Sequence, residues 1–207
     1  MWGGANIIDK INCKNKIGLD IHKELIALLK HAQKNDLPKT ISEKEYIDVK
    51  NNPSDYPDWY VGLVGFCGSF GAKYFGGFAR RYNQDGTLFD VPSQAINSLR
   101  RQRENIKDIK FKNMDFRDIP KDKINNYVIY CDIPYKDTTK YKTKDFPYEK
   151  FYNWVKIMSK TNKVLISEYW MPEDFECLWS KEHYTSLGSG VNNFQGKHKK
   201  VEKLYTY

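Results

Sequence analysis

Cysteine is scarce and scattered. The four present, Cys13, Cys67, Cys131 and Cys177, form no Cys-x-x-Cys pair and no Cys/His ligand spacing, which argues against structural zinc and a disulfide framework and for reduced, partly buried thiols. No stretch approaches the roughly 18 consecutive apolar residues of a membrane-spanning helix. The opening Met1-Trp2-Gly3-Gly4 has no basic segment leading into an apolar one. No membrane partner is therefore expected, and the chain reads as soluble and intracellular. Internal repeats and low-complexity tracts are also lacking. What is there, 207 residues of which 40% are hydrophobic, suffices for one substantial core or a core with a small appendage.

The net charge is +8, and the excess is uneven. Basic residues gather at Arg80-Arg81, at Arg100-Arg101-Gln102-Arg103, at Lys107 to Lys112 and at Lys197 to Lys203. Such clusters suit a phosphate backbone, where neutralised phosphates release counterions. They suit a solvated lysine-rich surface as well, and charge alone does not separate the two. Aromatic residues at 15% add flat surfaces on which an unstacked base can lie.

Gly3-Gly4-Ala5-Asn6 runs into Ile7 to Ile11, which reads as a short helix, and Lys16 to Asp20 reads as a short strand closed by an acid. A glycine turn, a helix and a strand ending in Asp is the order of a nucleotide-binding βαβ half without its first strand. Leu25, Leu28, Leu29 and Ala32 recur at helical spacing. Ser42 and Glu45 form a capping box for a second helix. Trp59 to Phe70 reads as a glycine-dotted helix with close approaches at Gly62, Gly65 and Gly68. Asp85-Gly86, between flanks rich in aromatics and arginines, predicts a hairpin. Helix is expected again over 93–103, 151–158 and 173–181, and strand over 109–114, 163–168, 184–187 and 201–207.

The run Tyr127-Val128-Ile129-Tyr130-Cys131-Asp132-Ile133-Pro134-Tyr135 reads as a buried strand that delivers a carboxylate and a ring to the carboxyl edge of a sheet, where open α/β folds place their ligands. Asp20 and Asp115 also close strands. Each of the three acids has a bland alternative as a helix cap or loop residue. Their ordered succession favours a site.

In that order, Gly3-Gly4, Asp20, Asp115-Phe116 and Asp132-Ile133-Pro134-Tyr135 resemble the Dam-like family of DNA adenine-N6 methyltransferases, particularly its short phage members. Gly68 to Gly71, Tyr74 to Gly77, Arg80 to Pro92, Ser167 to Tyr169 and Lys200 to Leu204 carry the likeness further. The resemblance implies an α/β fold, a Rossmann-like class I methyltransferase with a doubly wound sheet. The catalytic domain would comprise residues 1–35 and 106–207, and an inserted helical and hairpin target-recognition subdomain residues 36–105. It implies S-adenosyl-L-methionine as cofactor, held by Gly3, Gly4, Asp20, Asp115, Phe116 and Asp132, and no metal. The acceptor it implies is an adenine of double-stranded DNA, flipped out of the duplex. In that scheme Asp132 and the carbonyl of Ile133 accept the amino hydrogens of the base, Pro134 fixes the loop and Tyr135 stacks on the base. Arg80, Arg81, Arg100 and Arg101 join Tyr135 in contacting DNA. The setting implied is the cytoplasm of a bacterial or phage-infected cell, in modification or restriction protection.

The chain departs from the pattern twice. Ile133 stands where the family usually has a proline. Met1 stands where members have a Phe-x-Gly-Gly turn preceded by a strand and a Pro-Gly-Gly-Lys-like segment, so the cofactor-holding half is expected to be incomplete. The expectation is an N-terminally truncated product, a mis-called start or completion by an N-terminal fragment on another chain, and the alternative function is that of a truncated homologue that binds DNA without catalysis.

Overall fold

Apolar residues at 25, 28, 29 and 32 fall on one side of a helix, and the computed structural model buries all four, with Ile26, in α1 (Lys23–Lys34). The structure describes residues 5–134, 146–185 and 198–207. The chain is a mixed α/β protein that packs as two compact units, Met1–Asp115 and Phe116–Tyr207.

In the first unit β1 (Ile17–Asp20) precedes α1, followed by α2 (Glu43–Asn51), α3 (Asp58–Cys67), the short strands β2 (Arg81–Tyr82) and β3 (Leu88–Phe89), α4 (Val91–Ile106) and β4 (Lys110–Asn113). The segment 7–11 expected as a short helix is a hydrogen-bonded turn, in which Asp9 N–H donates to the Ala5 carbonyl and Lys10 N–H to that of Ile7. The capping box opens α2: Ser42 Oγ accepts Glu45 N–H and Glu45 Oε2 accepts Ser42 N–H, each at 3.2 Å. Glycine lets α3 lie against α1. A Cβ on Gly62 would stand 2.3 Å from the Glu24 carbonyl oxygen, and one on Gly65 would stand 2.5 Å from the Tyr74 ring. The expected helix over 59–70 stops at Cys67, and a 3-10 turn at Phe70–Ala72 follows, with Gly71 at φ 61°. Residues 37–99 of the expected insertion share one core with α1, Ile109 and Phe111. β1 and β4 run parallel, with Asp20 opposite Asn113.

In the second unit β5 (Val128–Asp132), α5 (Tyr148–Met158), β6 (Lys163–Glu168), β7 (Glu176–Thr185) and β8 (His198–Thr206) form a sheet of order β5-β6-β8-β7 with α5 packed on it. β5 and β6 are parallel, and β8 is antiparallel to both of its neighbours. Two expectations fail here. Residues 173–181 are not helical: the chain turns where Phe175 N–H donates to the Pro172 carbonyl, and β7 then pairs along β8. A partner remote in sequence supplied the structure that local pattern could not. Nor is the 127–135 run buried throughout, because β5 lies at the margin of its sheet with only Ile129 and Cys131 turned to the core. Val128 on the other face is 70% exposed.

Buried Asn162 pins β5 against the end of α5. Its Oδ1 accepts Tyr127 N–H at 3.0 Å, while its Nδ2 donates to the carbonyls of Ile124 at 2.9 Å and Met158 at 3.0 Å. All four cysteines are free thiols, and burial pushes the Cys131 thiol up to about 12. No helix among the described residues is long and apolar enough to cross a membrane.

Two substitutions test these contacts. Gly62→Ala forces α1 and α3 apart and should lower stability by about 2 kcal/mol, the usual penalty of overpacking, read from the urea midpoint. Asn162→Ala leaves the Tyr127 N–H without its acceptor and removes one donor each from the Ile124 and Met158 carbonyls, which keep other donors; it should lower stability by about 1 to 2 kcal/mol, with the loss largest for amide-exchange protection of residues 127–132.

Candidate active site

The register of β1 on β4 brings two of the expected acids to one end of one strand pair. Asp20 closes β1, and its carbonyl accepts Met114 N–H and the Asn113 side-chain amide, both at 3.0 Å. Asp115 follows Met114 directly. The Asp20 carboxylate curls over the next turn, where Oδ1 accepts His22 N–H at 2.7 Å. Burial pushes its pKa above the ordinary 3.8, while the His22 N–H pulls the other way. The His22 ring meets Tyr74 and Phe66 edge-on, at 4.3 and 5.1 Å between centroids.

In the second unit the carboxyl end of β5 presents Asp132. Successive side chains of a strand alternate faces, so Tyr130 and Asp132 share the face opposite the core, and Ser167, the register partner of Asp132, lies on that face too. Ser167 Oγ donates to Glu202 Oε1 at 3.4 Å and also hydrogen-bonds the Tyr130 phenol. Asp132 remains solvent-accessible as a residue, yet crowding at the strand end partly desolvates its carboxyl. That desolvation, and secondarily the negative charge of Glu202, raise its pKa above 3.8. Beyond the strand, Ile133 drops into the core at 8% exposure, and the Pro134 carbonyl accepts the Tyr148 hydroxyl at 2.8 Å. Phe116 packs among Phe151, Trp154 and Phe146 at centroid distances of 5.5 to 5.9 Å. Gly3, Gly4 and Tyr135 lie outside the described residues.

The four arginines divide. Arg80 is spent on a two-point ion pair with Glu43, and Arg100 on Asn97 Oδ1 and the carbonyls of Leu37 and Pro38. Arg81 lies over the Phe89 ring at 5.1 Å on the exposed hairpin, and Arg101 is exposed with one bond to Ser98 Oγ.

A model of the D12 class N6 adenine-specific DNA methyltransferase family matches residues 62–192, well over half of the chain. The chain belongs to this family. No curated protein matches the chain. The matched stretch takes in Asp115, Phe116, the Asp132 to Tyr135 tetrapeptide and all four arginines; Gly3, Gly4 and Asp20 precede it. For a D12 class chain the chemistry to be served is methylation of adenine in DNA, and the residues gathered around Asp132 are the ones to explain. Ser167 and Glu202 fall in stretches that carry the family resemblance but have no site role assigned from sequence, and sequence does not single out Tyr148. Helix phase could have flagged Tyr148 at the opening of α5, whereas the place of Glu202 beside Ser167 follows from strand pairing, which no local pattern specifies.

If the Tyr148 hydroxyl steadies the loop after Asp132, Tyr148→Phe should cost about 1 kcal/mol of stability, the usual worth of one hydrogen bond, as a lowered thermal midpoint.

Proposed function

We propose that the chain transfers a methyl group from S-adenosyl-L-methionine to the N6 of an adenine extruded from duplex DNA. The observation that carries this reading is the family match across Asp132-Ile133-Pro134-Tyr135, whose acid stands at the carboxyl end of a parallel strand pair. Each unit contains a parallel pair, β1/β4 in one and β5/β6 in the other, with an acid at its carboxyl end, and this supports a Rossmann-like, doubly wound reading.

The residues present fit the cofactor. Asp20 Oδ1 is held by the His22 N–H, while Oδ2 carries no protein hydrogen bond among the described residues. A partly desolvated carboxylate of this kind gains from ribose hydroxyl donors. Asp115, at the same end of the β1/β4 pair, suits an adenine amine, and Gly3 and Gly4 would allow close backbone approach. The cofactor supplies an electrophilic methyl on a sulfonium.

The chain's own residues have a positioning task, because the N6 lone pair is delocalised into the purine ring. Asp132 and the Ile133 carbonyl accept the two N6 hydrogens, which turns the lone pair out of the ring plane and stabilises the positive charge that develops on nitrogen. The buried Ile133 side chain and the bond from Tyr148 to the Pro134 carbonyl hold those acceptors in place. Tyr135 stacks on the extruded base. Residues 36–105 recognise the target. The β2/β3 hairpin supports this assignment, since its cross-strand neighbours Tyr82 and Leu88 are 65% and 60% exposed beside Arg81. Arg101 on α4, exposed beside its bond to Ser98 Oγ, adds a cation for a phosphate.

Labelled methyl transfer to duplex DNA, with N6-methyladenine as the product, is the deciding assay. Asp132→Ala should reduce transfer by about a thousandfold with the circular dichroism spectrum unchanged. Near-normal activity in that variant, or transfer to RNA alone, would overturn the proposal.

A further inference from the structure

Methyl transfer leaves a proton to be removed. As the N6–C bond forms and the sulfonium S–C bond breaks, the nitrogen becomes cationic and must lose one hydrogen to give the neutral methylamino base. The group in contact with that hydrogen is Asp132, under the function proposed above. Its surroundings are unusual for a carboxylate that only accepts hydrogen bonds. The face of the sheet on which it stands carries a second acid, Glu202 on β8, tied through Ser167 Oγ on the intervening strand. Pairing places these groups across three adjacent strands: Asp132 on β5, its register partner Ser167 on β6, and Glu202 two residues from Leu204, the register partner of Ser167. With a side-chain period of two, Glu202 and Leu204 share a face.

We propose that Glu202, held by Ser167 on the Asp132 face of the sheet, is a positioning residue that makes Asp132 the acceptor of the proton the adenine nitrogen must lose. The step balances: the N6–H electron pair stays on nitrogen, the proton passes to the Asp132 carboxylate, and the neutral carboxylic acid that results relieves the repulsion with Glu202. The negative charge of Glu202 disfavours the ionised form of Asp132, which makes it a better proton acceptor than the same carboxylate without that neighbour. Among the described side chains, the titratable groups on this face include Tyr130 on the same strand as Asp132, Glu202 on β8 and, beyond Glu202, its cross-strand partner Lys181 on β7. Tyr169, just after β6, also feels the Glu202 charge. The direction in which Asp132 is displaced agrees with this arrangement, desolvation acting first and Glu202 second.

The inference rests on the methyltransferase reading, so its test has a readout independent of turnover. Carbon-13 NMR titration of the Asp132 carboxyl in the full chain should give a midpoint above 3.8. In Glu202→Gln the midpoint should fall while staying above 3.8, because desolvation persists. Ser167→Ala, which removes the Ser167 bond to Glu202, should lower it by less, and Glu202→Asp should restore it in part. In the methyl-transfer assay Glu202→Gln should lower kcat about tenfold with KM little changed, and move the acid limb of the kcat profile to lower pH in step with the NMR midpoint. An Asp132 titration unchanged by Glu202→Gln would overturn the inference whatever the activity, as would an acid limb that stays in place. A native chain that transfers no methyl group to DNA fails the function proposed above, while the titration still decides whether Glu202 governs Asp132.

Discussion

The register of β5 on β6 is the constraint on which the catalytic corner depends. Side chains alternate faces along a strand, so a slip of one residue would turn Asp132 and Tyr130 into the core and drive Ile129 and Cys131 into water. Hydrophobic content resists that slip only in part, since Val128 and Tyr130 are apolar enough to be tolerated inside. Asn162 removes the ambiguity. It occupies the donor of Tyr127 and the acceptors of Ile124 and Met158 simultaneously, and Lys163 N–H returns to the Tyr127 carbonyl at 2.9 Å. A single buried amide thus ties the entry of β5, the end of α5 and the start of β6, and it sets which face every later residue of β5 presents. Ser167 and Glu202 inherit their places from the same register, through β6 and β8.

In the first unit the corresponding constraint is the backbone approach of α3 to α1. Close packing leaves no gap for a methyl group at Gly62. This fixes α1 immediately after the turn in which His22 N–H meets Asp20. Rigidity at that turn has a chemical consequence. An acid partly withdrawn from water holds its charge at a cost that a hydroxyl-donating ligand can offset, whereas a mobile acid would relax toward solvent.

Much of this was legible in the residues, and the failures share a cause. Local signals worked where the physics is local: helical spacing for α1, reciprocal side-chain and backbone bonds for the Ser42–Glu45 cap, and the φ of 80° at Gly86 for the hairpin turn. They failed at residues 173–181, where Leu178 and Trp179 mimic part of a helical stripe but the backbone bonds are taken by β8. They failed also at the burial of β5, which depends on which neighbours a strand finds. The arginines show the same division inside one helix. Ile96 and Leu99 set the buried face of α4; Arg100, four residues beyond Ile96, flanks that face and is used up on the carbonyls of Leu37 and Pro38, while Arg101 turns away to solvent. Charge clustering treats the two alike, and helical phase separates them.

Ile133 shows how a departure from a motif can be absorbed. A proline at that position would hold the acceptor carbonyl by restricting φ, an entropic device that acts on the unfolded chain as much as on the folded one. Isoleucine has no such restriction, but it has a side chain with somewhere to go: at 8% exposure it sits among Phe151, Val155 and the rest of that core. Pro134 still biases the preceding residue toward extended geometry, and its own carbonyl is held by Tyr148. Preorganisation has moved from ring geometry to burial and one hydrogen bond. A carbonyl held by packing depends on the integrity of the core beneath it, so in this chain the fidelity of the acceptor pair is coupled to the stability of the α5 layer in a way that a proline-locked loop would not be.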